Sequence, residues 1–236
     1  MDRSIPAITG RGYSPWRQPG DFAVPMRVVY LHGFASSPQS SKARFFAERF
    51  QAMGVPFIAP ALDEGSFETL TITGQLRVVE KAVGDGPVVM MGSSMGGYLA
   101  ALFAARHVEQ VEKMVLLAPA FQFPTRWRAR YSVDELERWK EQGKIPFFHY
   151  GYKEERGLGY QIVEDASGYE DEPAFVQPAL VLHGRRDEVV PVEASKVFAQ
   201  GHPNVTLRVV ESGHELTDVL EQLWSETASF LRFQSL

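Results

Sequence analysis

The sequence predicts an α/β fold: a mostly parallel sheet with helices on both faces, crowned by a small helical and hairpin cap. Two patterns predict it. From residue 26 onward, short apolar runs alternate with longer amphipathic stretches across turns rich in Gly or Pro. The apolar runs are also nearly continuous, as strands covered on both faces must be. A chain of 236 residues with 44% hydrophobic content suits one domain with a sizeable core.

The elements follow in order. Residues 1 to 25 are proline-rich with little periodicity and are expected to lie over the surface of the domain. "RVVYLHG" reads as a strand and "SKARFFAERFQAMG" as a helix, with Phe45, Phe46, Phe50 and Met53 near helical spacing and Gly54 as its stop. "VPFIAPAL" is a second strand, and "FETLTITGQLRVVEKAVG" a helix weakened early by its threonines and Gly74. "PVVMMG", "EKMVLLAP", "PALVLHG" and "VTLRVVESG" supply later strands. Helices "MGGYLAALFAARH" and "PVEASKVFAQG" lie between them, and "ELTDVLEQLWSETASFLRF" closes the pattern with an apolar stripe of Leu216, Val219, Leu220, Leu223 and Trp224.

Residues 121 to about 175 break this rhythm and are expected to form the cap over one end of the sheet. Ser132 with Glu135 three residues on forms a capping box that starts a helix ending near Gly143. Beyond it, Phe148, Tyr150 and Tyr152, then Leu158, Tyr160 and Ile162, alternate around a charged turn and predict a hairpin.

Composition narrows the function. Lys and Arg number 24 against 29 Asp and Glu, a net charge of -5 that argues against a nucleic-acid partner. The chain has no Cys, which excludes disulfides, thiolate metal sites and cysteine nucleophiles. The start lacks the basic and then apolar run of a secretory leader, and no stretch is long enough for a membrane span, so a soluble, cytoplasmic protein is expected. The six histidines show no helix-ligand spacing with nearby carboxylates, so no metal site is expected.

The chemistry centres on Gly92-Ser93-Ser94-Met95-Gly96, a G-x-S-x-G pattern between an apolar strand and a helix. That context places Ser94 on a strained turn at a helix N-terminus, where exposed N–H groups favour developing negative charge. A serine hydroxyl needs a base to take its proton and an acid to orient that base. Asp187 follows the strand "PALVLHG", and His214 follows the next strand, so all three emerge at one edge of the sheet. "LHGFASSPQSSK" follows the first strand, and its Phe34 N–H can join that of Met95 in an oxyanion hole.

With these residues in place, the chain resembles an α/β-hydrolase over residues 26 to 233. "YLHGFASSPQSSKA" and "GSSMGGYLAA" are similar to segments of the YqiA-like bacterial esterases. The resemblance implies hydrolysis of carboxylic esters or acyl thioesters of small molecules through an acyl-enzyme, without a cofactor. It implies Ser94, Asp187 and His214 as catalytic residues, with Phe34 and Met95 as oxyanion donors. The chain departs from the compact members in its longer insertion after residue 120, so their substrate range is not implied.

Other residues have competing readings. His183 precedes the acid in chain order and is taken as structural rather than as the base, and His32 as a residue that shapes the oxyanion loop. His107 is read as a charge at a helix C-terminus, His149 as able to reach the pocket from the cap, and His202 as a surface turn residue. Asp63 is a loop acid at the same rim. Arg126, Arg128 and Arg130 beside Trp127 either cover aromatic surface with their stems or recognise an anionic group. Trp127, Arg130 and Phe147 are the candidate substrate contacts. Two alternatives share the fold: a carbon–carbon bond hydrolase of a dienoic diketo acid, with cap arginines on the carboxylate, and a catalytically silent ligand-binding module.

Overall fold

The computed structural model describes residues 26–232, so the expectation for the first 25 residues lies outside the described residues. Six parallel strands form the main sheet: β1 (Val28–Leu31), β2 (Phe57–Ile58), β3 (Val88–Ser93), β4 (Val111–Leu117), β7 (Ala179–Gly184) and β8 (Val205–Val210). Their order is β2-β1-β3-β4-β7-β8. The chain steps outward from β1 to β2, then returns to the other side of β1 for β3. The order therefore reverses between β1 and β3, and the C-terminal ends of those two strands flank a crevice.

Alternation along the strands divides the core into two layers. Val29, Leu31, Val88, Met90, Met114, Leu116, Ala179 and Val181 face one helical layer that includes α2 (Ile72–Val83), α3 (Met95–Arg106) and α7 (Val192–Gly201). Val28, Tyr30, Val89, Met91, Val115, Leu117, Leu180 and Leu182 face the other, made by α1 (Ser41–Ala52) and α8 (Leu220–Leu231). The central strands are buried along nearly their whole length, which is why they read as unbroken apolar runs. Helix α3 is buried on almost every side, because the sheet, α2 and the interposed segment enclose it.

Between β4 and β7 run α4 (Phe123–Arg128), α5 (Val133–Gln142), the antiparallel pair β5 (Lys144–His149) and β6 (Glu154–Gly159), and α6 (Gln161–Ala166). The capping box at Ser132 is formed in both directions, and Gly143 ends α5 with φ of 75°. Several expectations are corrected here. The second strand shrinks to two residues because Pro56 and Pro60, which offer no N–H to a neighbour, bracket it. The helix expected from residue 67 is split into a 3-10 turn at Phe67–Thr69 and α2, which Thr71 caps by accepting the Gly74 N–H at 2.9 Å. The hairpin ends at Gly159, and Ile162 lies in a helix rather than a strand. The last helix starts only at Leu220, since Leu216 adopts φ of 55° and breaks the apolar stripe.

Candidate active site

Ser94 closes β3 and opens α3 with φ of 54° and ψ of -119°, a conformation that L-residues rarely adopt. The turn is held from both sides: the Ser94 carbonyl accepts the N–H groups of Gly97 at 2.9 Å and Tyr98 at 3.2 Å within α3, and that of Ala120 at 3.0 Å from beyond β4. Two glycines make this corner possible. A Cβ on Gly96 would stand 2.1 Å from the Leu31 carbonyl oxygen, and one on Gly92 would stand 2.3 Å from that of Gly96. In each case the obstacle is backbone, so only glycine fits.

His214 and Asp187 reach this corner from the ends of β8 and β7. His214 Nε2 lies 3.0 Å from Ser94 Oγ, and its Nδ1 lies 2.7 Å from Asp187 Oδ2. The carboxylate can only accept, so Nδ1 carries the ring proton and Nε2 presents its lone pair to the serine hydroxyl. Asp187 Oδ1 accepts the N–H groups of Val189 at 2.9 Å and Val190 at 2.8 Å. Burial alone would raise the Asp187 carboxyl. Hydrogen bonds from His183, His214 and the Val190 N–H outweigh it and hold the group well below the usual carboxylate range. The loop bearing His214 is tied down by Lys42, whose Nζ donates to the Glu215 carbonyl at 2.5 Å, and by the Ser212 hydroxyl bonded to Asp218.

The loop after β1 faces the same corner. A Cβ on Gly33 would touch Ser94 Cβ at 3.5 Å. Next to it, His32 donates from Nδ1 to the Gly33 carbonyl at 2.9 Å and accepts the Leu62 N–H at Nε2, 3.3 Å away. This fixes the path of the backbone into Phe34, as expected for a residue that shapes the loop. Among the described residues, no backbone carbonyl outside helices and strands takes the N–H of Phe34 or of Met95.

The interposed segment closes on Phe34. The Phe34 ring meets Trp127 at 4.8 Å and Phe147 at 4.9 Å, both edge-on, and Phe67 at 5.3 Å. The tip of the β5–β6 hairpin joins the same loop through Gly151 N–H to the Ala35 carbonyl at 3.3 Å. Asp63 sits at this junction, accepting the Tyr152 hydroxyl at 3.2 Å with His149 Nε2 3.9 Å away. It thus belongs to the seam between the two regions rather than to the Ser94 site. Trp127 is buried, and among the described residues its Nε1–H has no partner.

The arginines are largely engaged. Arg130 lies over the Trp127 ring at 5.5 Å, Arg126 donates to the Val189 carbonyl at 3.0 Å, and Arg185 pairs with Glu211. His107 stacks on Phe103 at 4.0 Å, and His202, read as a surface residue, instead stacks half-buried on Phe198 at 3.9 Å. Among the described residues, no group of three or more His, Asp or Glu side chains is arranged to hold a metal ion, and no helix is long and apolar enough to cross a membrane.

The sheet order, the turn at Ser94 and the enclosing helices are those of an α/β-hydrolase fold, and solved structures agree. The alpha/beta hydrolase domain-containing protein 10 from mouse superposes with a TM-score of 0.74, with 21% identity over 89% of this chain and 91% of that one. Residues 27–231 match the model of the UPF0227 family, described as an uncharacterised protein family, and the chain belongs to it. Among curated relatives, a 2-hydroxymuconate semialdehyde hydrolase of Pseudomonas putida is 31% identical over 180 residues, covering 59% of this chain and 62% of its own length. The chain thus spans less than two thirds of that relative. A monoacylglycerol lipase, ABHD6, of Rattus norvegicus is 23% identical over 80% of this chain and 70% of its own length.

Proposed function

We propose that this protein is a serine hydrolase that cleaves carboxylic esters or acyl thioesters of small molecules through an acyl-enzyme on Ser94. The observation that carries the reading is the unbroken hydrogen-bond path from Ser94 Oγ through His214 to Asp187, set on a strained turn at a helix N-terminus. In the first half-reaction His214 Nε2 takes the hydroxyl proton as Oγ bonds to the acyl carbon. The carbonyl oxygen becomes an oxyanion held by the N–H groups of Phe34 and Met95. Collapse breaks the bond to the leaving group, which takes the proton from Nε2. Water then repeats the sequence, releasing the acid and restoring the serine. Asp187, kept ionised by its four donors, holds the ring in the required tautomer throughout. Trp127 and Phe147, against Phe34, supply an aromatic wall for the acyl group, and Arg130 bounds it through its contact with Trp127.

A second reading, hydrolysis of a carbon–carbon bond in a dienoic diketo acid, draws support from the likeness to the Pseudomonas putida hydrolase. It needs arginines that can bind a carboxylate: Arg126 is committed to the Val189 carbonyl, whereas Arg128 and Arg130 are exposed, with Arg130 laid over the Trp127 ring. A panel of p-nitrophenyl esters, acyl thioesters and ring-fission dienoates assayed with purified protein separates the two. Turnover of esters or thioesters, reduced on the order of 10⁴-fold or more by Ser94→Ala with the fold intact, is expected. Ester turnover unchanged by that substitution would remove Ser94 from the mechanism.

A further inference from the structure

Asp187 has a partner that the proposed reaction does not use. Its Oδ2, 2.7 Å from His214 Nδ1, also lies 3.2 Å from Nε2 of His183. His183 is fully buried at the end of β7, and both ring nitrogens are engaged: Nε2 is 2.8 Å from the Val190 carbonyl and Nδ1 is 2.8 Å from Ser195 Oγ on α7. A carbonyl oxygen only accepts, so Nε2 carries the proton. In the neutral ring Nδ1 is then left to accept the Ser195 hydroxyl. The Nε2–H is thereby shared between the Val190 carbonyl and Asp187. With the proton on Nδ1 instead, a bare nitrogen would face a carbonyl and a carboxylate together in a dry interior, where such repulsion is strong.

We propose that His183, its tautomer fixed by the Val190 carbonyl, is a positioning residue that holds Asp187 Oδ2 in place at His214 and tempers the negative charge Asp187 presents to that ring. The inference rests on the reading of Ser94, Asp187 and His214 given above. Its first consequence is geometric: Oδ2 cannot swing away from His214 without breaking the bond to His183. The second is electrostatic. Another donor on the same oxygen disperses its charge, so Asp187 pulls less strongly on the Nδ1 proton of His214 than it would alone. The remaining charges nearby are already engaged. Lys42, which feels Asp187, is bound to Glu215; Arg186 donates to the Glu211 carbonyl; Glu193, beside His183, pairs with Lys196.

His183→Leu, with His183→Gln as the variant that keeps an N–H near the Nε2 position, tests the proposal in the full chain. Long-range ¹H–¹⁵N spectra of the histidine rings read the wild-type tautomer whatever the activity, and the His183 proton is expected on Nε2. With p-nitrophenyl butyrate, His183→Leu is expected to lower kcat by about 3- to 10-fold with little change in KM, and His183→Gln to restore it. A purely structural His183 would change thermal stability and leave kcat of the folded variant in place. A wild-type His183 proton on Nδ1, or a folded His183→Leu with unchanged kcat, would overturn the proposal. Should His183→Leu not fold, His183→Gln against His183→Asn, whose amide reaches only the Nδ1 position, makes the same comparison. If the wild type neither turns over the ester nor reacts with a fluorophosphonate, the proposed function fails, while the tautomer result still judges His183.

Discussion

The sheet edge and the segment over it are held by different forces. At the edge, backbone meets backbone: the Ser94 carbonyl takes three N–H groups, and Gly96 lies so close to Leu31 that no side chain fits between them. The buried polar groups there, His32, His183 and Asp187, are all hydrogen-bonded. The segment from residue 121 to about 175 is instead joined to the rest of the fold mainly through side chains: aromatic edges against Phe34, Arg126 on the Val189 carbonyl, the Tyr152 hydroxyl on Asp63 and the Thr73 hydroxyl on Asp165, beside a backbone bond at Gly151. Ion pairs such as Lys144 with Glu68 and Lys140 with Glu164 are exposed, and such pairs stabilise little. In the proposed enzyme, the edge carries chemistry that cannot shift by an ångström, and the segment carries recognition that side-chain changes can reshape.

The comparison breaks first at Gly96. Gly96→Ala forces a Cβ onto the Leu31 carbonyl, where neither partner can yield, and is expected to destabilise the fold by about 3 kcal/mol or more. Urea unfolding checks this, and a variant as stable as the wild type would show the edge to be more pliable than the packing implies.

A smaller effect sharpens the seam. Burial lowers both His32 and His149 below the ordinary imidazole value, although Asp63 acts in the opposite sense on each. Groups lowered on folding leave the unfolded chain binding more protons. Their contribution to stability is therefore complete above about pH 6.5 and lost as pH falls through their folded values. Melting temperature measured from pH 8 down to pH 5 should decline, and His149→Gln should flatten the decline. An unchanged slope would place the proton-sensitive group elsewhere.

The smallest change belongs to the aromatic wall. Trp127→Phe removes a buried N–H that has no partner among the described residues, so the lost packing is partly offset, and stability should change by only about 1 kcal/mol. In the proposed enzyme KM and acyl-chain preference should shift while kcat for the shortest ester holds. Loss of kcat across all chain lengths would mean that Trp127 supports the oxyanion loop rather than the acyl group.

Much of the edge was legible because strands announce themselves. Asp187 and His214 each follow an apolar run by a few residues, so parallel strands deliver them to one end of the sheet without knowledge of the tertiary structure. The role inferred for His183 was not legible in that way. Chain order suggests only a structural histidine, and its tie to Asp187 depends on a turn that folds back within four residues and brings the Val190 carbonyl onto Nε2. The segment was harder for a different reason. Helix α4 was hidden by Pro124 and a start at Gln122 with φ of 62°, and α6 by Tyr160 and Ile162, whose two-residue spacing imitates a strand. Short elements that pack on neighbours carry too few residues for periodicity to separate the possibilities.

In the proposed enzyme the hydroxyl at position 94 is activated by the imidazole at 214. Fluorophosphonate labelling followed by peptide mass mapping tests it directly. One stoichiometric adduct on Ser94, formed far more slowly in His214→Gln, is expected. Absence of an adduct on the folded wild type, or equal labelling with and without the imidazole, would contradict it.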